Sequence, residues 1–175
     1  ASEAQNGWVF ESADGGYTWA KVNDSGEVLS GLNDQLQAGA YDFAFAPSNP
    51  QRVYAAFGNK TCAGVSAVDC VADTKLNFAR SNNGGSNWQV LHLDALSGFS
   101  VSSLVVDADD EDRLWLGTTE GVWLSKDGGD SWQAVSAGLS NAFVKSLAAN
   151  AFDPNVLLAG TSRGVFLTTD GGASW

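Results

Sequence analysis

The chain contains no methionine, one histidine (His92), three prolines and nine basic residues against twenty acidic ones. Each shortage narrows what the protein does. A net charge of −11 with scattered Lys and Arg leaves no basic cluster to neutralise phosphates, so nucleic-acid binding is not expected. The same charge disfavours anionic membrane surfaces, and no apolar run reaches spanning length. A single histidine, with no nucleophile elbow near it, gives no Ser-His-Asp constellation. It also leaves the two cysteines, Cys62 and Cys70, without imidazole partners for a metal site. No metal and no cofactor are expected. Seven residues separate the cysteines in a polar Gly/Ala/Ser stretch. A loop disulfide is the preferred reading, and it implies an oxidising compartment; free thiols in a cytosolic protein are the alternative. The Ala1-Ser2-Glu3-Ala4 start is compatible with processing after a signal peptide. These features suggest a secreted, periplasmic or cell-surface protein.

What the chain has in quantity is glycine, twenty residues, and tryptophan, seven. Both fall largely in one repeated stretch. It reads Ser12-Ala13-Asp14-Gly15-Gly16-Tyr17-Thr18-Trp19, then Ser81-Asn82-Asn83-Gly84-Gly85-Ser86-Asn87-Trp88. It returns as Ser125-Lys126-Asp127-Gly128-Gly129-Asp130-Ser131-Trp132 and Thr168-Thr169-Asp170-Gly171-Gly172-Ala173-Ser174-Trp175. Gly-Gly supplies positive φ for a tight turn, and Asp or Asn holds the turn through backbone N–H groups. The hydroxyl closes one strand, and the Trp opens the next with a large apolar surface.

Between the boxes the grammar also repeats. Val101–Asp107, Leu114–Thr118, Gly121–Ser125 and Trp132–Val135 read as four short strands, A to D, with the box as the C–D turn. Val144–Asn150, Val156–Thr161 and Gly164–Thr168 repeat A to C. Tyr41–Ala46, Val53–Phe57 and Leu76–Ser81 do so earlier, with Pro47-Ser48-Asn49-Pro50 as the A–B turn; only Gly7–Ser12 precedes the first box. Four antiparallel strands in about forty residues mark a β-propeller blade. The expected fold is therefore all-β, an incomplete set of about three and a half blades within one domain spanning 1–175. Residues 1–28 end a first blade, 40–92 form a second, 100–136 a third and 143–175 a fourth. An open set of blades has no self-complementary closure. Further blades of a longer chain, or a partner, are expected to complete the ring.

Spacing locates the irregularity. Trp88 to Trp132 is 44 residues and Trp132 to Trp175 is 43, but Trp19 to Trp88 is 69. Of the excess, 17 residues fall in the B–C loop of the second unit, within 58–75, and 8 in the D–A connection around Asn23 to Gly39. B–C and D–A loops share one face of a propeller, and long loops on a rigid scaffold are where function concentrates.

The boxes resemble those of the Asp-box, or bacterial-neuraminidase repeat, family. That superfamily takes in sialidases, xyloglucan-type glycoside hydrolases, sortilin-like receptors and photosystem assembly factors of the Ycf48 type. The resemblance runs over essentially the whole chain. It implies that the boxes are structural and lie opposite the active face. Box two departs by carrying Asn83 where Asp is usual, though Asn accepts the same turn bonds. A sialidase would need an arginine triad, and Arg52, Arg80, Arg113 and Arg163 do not form one: Arg52 and Arg113 hold equivalent repeat positions on the box side. A glycoside hydrolase needs two facing carboxylates, for which Asp34, Asp42 and Glu120 are candidates; solvated loop carboxylates are the plainer reading. Trp19, Trp88, Trp115, Trp123, Trp132 and Trp175 read as inter-blade core. Tyr41 and Phe99 read as surface aromatics, and Lys60, Lys145 and Arg163 complete the candidate binding residues. The acidic run Asp107, Asp109, Asp110, Glu111, Asp112 reads as a solvated A–B turn before it reads as a calcium site. Three functions follow: a scaffold contacting a protein or glycan through the D–A and B–C loops, part of a glycoside hydrolase, or an assembly factor for a membrane complex.

Overall fold

The structure, a computed structural model, describes residues 10–21, 40–57, 76–93, 96, 99–139 and 142–175. Among the described residues, thirteen strands form four antiparallel sheets. The first is a hairpin of β1 (Phe10–Glu11) and β2 (Ala20–Lys21). The second holds β3 (Ala40–Ala46), β4 (Asn49–Phe57), β5 (Leu76–Ser81) and β6 (Gln89–Leu93), paired in chain order. The third repeats this with β7 (Val101–Val106), β8 (Leu114–Thr118), β9 (Gly121–Ser125) and β10 (Gln133–Ala134). The fourth has β11 (Val144–Ala149), β12 (Leu157–Thr161) and β13 (Gly164–Thr168).

One element departs from the sequence reading. β4 begins at Asn49, so the turn from β3 shrinks to Pro47-Ser48 and Pro50 lies inside the strand. It lies beside a register shift between Phe45 and Ala46, and an irregularity is where a residue without an N–H costs the ladder little.

The sheets stack through apolar faces. Tyr54, Phe78 and Leu91 of the second sheet pack with Leu104, Val106, Leu114 and Leu116 of the third. Trp115, Val122 and Val135 of the third pack with Val144, Leu147, Leu157 and Ala159 of the fourth. β8 is buried along its whole length because a sheet covers each of its sides. Complete burial of each such large apolar side chain contributes about 1.5–3 kcal/mol.

Three stitches repeat between neighbouring sheets. The first strand of the second, third and fourth sheets has a register shift near its start, at Ala40/Asp42, Val101/Ser103 and Val144/Ser146. There Asp42 Oδ2 accepts the Leu104 N–H of the next sheet (2.8 Å), and Ser103 Oγ accepts the Leu147 N–H (3.1 Å). Next, an aromatic group on the second strand donates onward: Tyr54 OH to Glu111 O (2.7 Å) and Trp115 Nε1 to Gly171 O (3.0 Å). Burial pushes the Tyr54 phenol up from its ordinary pKa. Finally, Arg52 reaches Glu111 (2.8 Å) and Asp112 (3.3 Å), while Arg113 reaches Asn155 (3.3 Å) and its own Asp107 (3.3 Å). The acidic turn is therefore a docking ledge for arginines. Hydrogen bonds from Arg52 and Asn49 hold the Glu111 carboxyl below its usual range. Among the described residues, no group of three or more His, Cys, Asp or Glu side chains is placed to hold a metal ion.

Candidate functional site

The turns divide the molecule into a box face and a loop face. On the box face all four boxes close in one pattern. The leading hydroxyl accepts the N–H of the second Gly: Ser12 from Gly16 (2.7 Å), Ser81 from Gly85 (2.9 Å), Ser125 from Gly129 (2.9 Å) and Thr168 from Gly172 (3.0 Å). The Asp or Asn oxygen accepts the N–H four residues on: Asp14 from Thr18 (2.8 Å), Asn83 from Asn87 (2.8 Å), Asp127 from Ser131 (2.8 Å) and Asp170 from Ser174 (2.9 Å). Asn83 thus makes the same backbone bond as the three aspartates. The Thr18 hydroxyl and N–H, with Ser12, hold Asp14 down at about 2. Ser174 and Thr168 do the same for Asp170, also about 2. At Asp127 burial pushes upward, and the Ser131 and Ser125 bonds outweigh it to leave the pKa lowered. These aspartates spend their oxygens on their own turns.

The boxes are also tied to the rest of the sheet. Gly84 donates its N–H to Gln51 O near the start of β4, and Gly128 and Gly171 donate theirs to Asp112 O and Asn155 O in the A–B turns, all at 2.8–2.9 Å. Trp132 meets Phe78 edge to face at 5.4 Å, and Trp175 donates to Val135 O at 2.8 Å. Both tryptophans therefore pack on the preceding sheet. Trp19 does not share this fate. It is 63 % exposed, and its indole donates back to Gly16 O at 3.1 Å. No described sheet precedes it to cover the ring.

The opposite face is built from the B–C turns and the D–A segments. Thr118 Oγ1 donates to Gly121 O (2.9 Å) and accepts the Glu120 N–H (3.1 Å). Thr161 Oγ1 donates to Gly164 O (2.9 Å) and accepts the Arg163 N–H (3.0 Å). Each turn is clamped to the segment entering the sheet. Thr119 N–H reaches Ser100 O (3.0 Å), and Ser162 N–H reaches Phe143 O (2.9 Å). Glu120 and Arg163 thus occupy equivalent turn tips, both exposed.

The remaining candidates divide. Lys145 is exposed on β11. Phe99 is half-buried, its ring 5.9 Å from Trp123, so it is anchored in the apolar layer. Asp42 has both oxygens engaged, accepting Phe43 N–H at 2.9 Å and Leu104 N–H at 2.8 Å. The backbone of Tyr41 lies on β3. Asp34, Lys60, Cys62 and Cys70 lie outside the described residues, as do both insertions. Phe143, exposed beside Arg163's turn, is an aromatic that the sequence reading passed over. Its signal is positional, since it is equivalent to Ser100, and emerges only once the clamp is seen.

Consecutive antiparallel sheets of up to four strands, stitched face to face and phased by one turn, leave one architecture. The chain is a run of β-propeller blades. No family profile matches it. A Paenibacillus sp. xyloglucanase is 29 % identical over 151 residues, covering 78 % of this chain and 14 % of that protein. The GH74 enzyme of Niastella koreensis superposes with a TM-score of 0.62 at 19 % identity, over 81 % of this chain and 23 % of that one. YCF48 bound to D1 peptide superposes at 0.55 with 18 % identity, over 79 % of this chain and 38 % of that one. The chain spans about one seventh of the length of the curated relative it matches. The structural likenesses carry the fold, and the blades described above are of that kind.

Proposed function

We propose that these blades form part of a glycan-binding scaffold, with a neutral xyloglucan-type polysaccharide held on the D–A and B–C loop face. The observation that carries the reading is the sequence match to a xyloglucanase across most of the chain. Chemistry on the loop face is consistent with it. Clamped turns present Glu120 and Arg163 as hydrogen-bonding groups, and the backbone of the exposed Phe143 is bonded to the Arg163 turn. A protein with a net charge of −11 repels polyanions and is indifferent to a neutral glycan. The boxes are read as Asp-boxes with a structural role, and the setting as extracellular, periplasmic or cell-surface.

The alternative form of this reading is a share in a hydrolytic cleft. Glycoside hydrolysis needs two carboxyl groups about 5–9.5 Å apart. Among the described residues of this face the acidic side chains are Asp42 and Glu120, and Asp42 is committed to the inter-sheet stitch. Glu120 is therefore the carboxylate to follow.

Affinity electrophoresis in gels containing xyloglucan tests the proposal. The native chain should be retarded, Phe143→Ala should weaken retardation several-fold, and an anionic polysaccharide should have no effect. Absence of retardation by xyloglucan would overturn the glycan reading and leave a protein ligand on the same loops. Release of reducing sugar that Glu120→Gln abolishes while binding persists would convert the scaffold reading into the hydrolase one.

A further inference from the structure

The junction between the second and third sheets and the junction between the third and fourth share one register, but they differ at one place on the box face. At the first, Arg80, paired with Tyr54 across the sheet, bridges to the next box. It donates to Gly128 O at 3.1 Å, to Asp130 Oδ2 at 3.3 Å and to Gln89 Oε1 at 3.1 Å. At the second, the residue paired with Trp115 in the same register is Leu124, and the box position of Asp130 is held by Ala173. The bridging arginine and its box carboxylate are both absent there. A cavity of about 300 Å³ takes their place, lined by Leu124, Lys126 and residues 133–137 on one side and by the fourth box and Arg113 on the other.

The polar groups left around this cavity are donors short of an acceptor. Arg113 reaches Asp107 and Asn155 only at 3.3 Å, long for charge-assisted hydrogen bonds. Its Nε is buried and has no hydrogen-bond partner, and an orphaned buried donor is costly. Lys126 is exposed and has no ion-pair partner among the described residues. Asp170 lines the cavity but cannot answer them, because Ser174 and Thr168 occupy its oxygens. We propose that the cavity binds a small organic carboxylate, whose oxygens take the place that the Asp130 side chain holds at the preceding junction. Guanidinium and ammonium suit that group, and Leu124, Val135 and Ala173 leave room for a short aliphatic stem. The net charge of −11, with Asp107 and Asp170 close by, favours a single carboxylate over a polyanion. The site lies on the box face, opposite the loops, and does not depend on the glycan reading.

Titration of sodium propionate into the isotope-labelled chain, against sodium chloride at equal ionic strength, tests this. Saturable shifts in the millimolar range should appear at the amides of Lys126, Gln133, Gly171 and Ala173 and at the Trp115 indole N–H, which donates to Gly171 O. Lys126→Gln should weaken binding about twofold to fivefold, the worth of an exposed ion pair. Ala173→Asp restores the residue that box three carries, so its circular dichroism should match the parent while propionate binding is lost. Inorganic phosphate should bind more weakly than propionate. Shifts that sodium chloride reproduces, or no saturation, would overturn the proposal. So would propionate binding by Ala173→Asp at the parent's affinity, or phosphate binding tighter than propionate.

Discussion

Gly85 and Gly129 hold equivalent positions in boxes two and three and share one backbone conformation, with φ of 94° and 95°. Alanine at either must adopt a left-handed geometry, at a local cost of about 1–2 kcal/mol. Their surroundings differ. A Cβ on Gly85 would meet only the ring of its own Trp88, at 3.5 Å, which is ordinary contact. A Cβ on Gly129 would lie 2.4 Å from Phe78 Cε1 and 2.9 Å from Cδ1. Phe78 is fully buried and stacked on Tyr54 at 5.6 Å, so it has little room to retreat. Overpacking of this kind costs about 1–3 kcal/mol beyond the backbone term. Gly85→Ala should therefore destabilise by about 1–2 kcal/mol and Gly129→Ala by about 2–5 kcal/mol. Urea unfolding followed by tryptophan fluorescence measures both midpoints against the parent. The difference between the variants isolates how closely a box seats on the preceding blade. Equal losses, or a larger loss for Gly85→Ala, would refute that seating.

Other expectations bear on the box and its stitches. Asp127→Asn should cost less than about 1 kcal/mol, since Asn83 makes the same backbone bond in box two, whereas Asp127→Ala orphans the Ser131 N–H and should cost about 1–2 kcal/mol. Trp115→Phe removes the donor to Gly171 O in a buried setting and should lower stability by about 1–3 kcal/mol, read by thermal unfolding. Acid should act through the depressed carboxylates. Asp14 and Asp170 are held at about 2 when folded against an ordinary 3.8, so their stabilisation is present above 3.8 and is lost as pH falls toward 2. The Thr18 and Ser174 amide resonances should follow that titration while the Asn87 amide stays still; midpoints near 3.8 would count against the hydrogen-bond account.

The blade architecture was legible because its determinants are local. Gly-Gly at positive φ, a hydroxyl and carboxamide or carboxylate at fixed offsets, and alternating apolar strands all act within a few residues of each other. Asn83 was readable on the same ground. The inter-blade chemistry was not. Arg52 and the Asp107–Asp112 turn are far apart in sequence, and their pairing depends on how far each blade is rotated against the next. Asp42 looked like a loop carboxylate until the bulge at Ala40/Asp42 turned it toward Leu104. Trp19 matched its three counterparts in sequence, but its exposure depends on a neighbour rather than on its own box. Phe143 belongs to the same class, since only the clamp to Ser162 places it on the loop face.

The claim that the loop face binds while the boxes hold the fold is tested most directly by amide shift mapping. Xyloglucan oligosaccharides would be titrated into the labelled chain. Shifts should gather at residues 99–100, 119–121, 143–145 and 162–164, with the four boxes silent. Shifts concentrated in the boxes, or none at saturating oligosaccharide, would contradict the account.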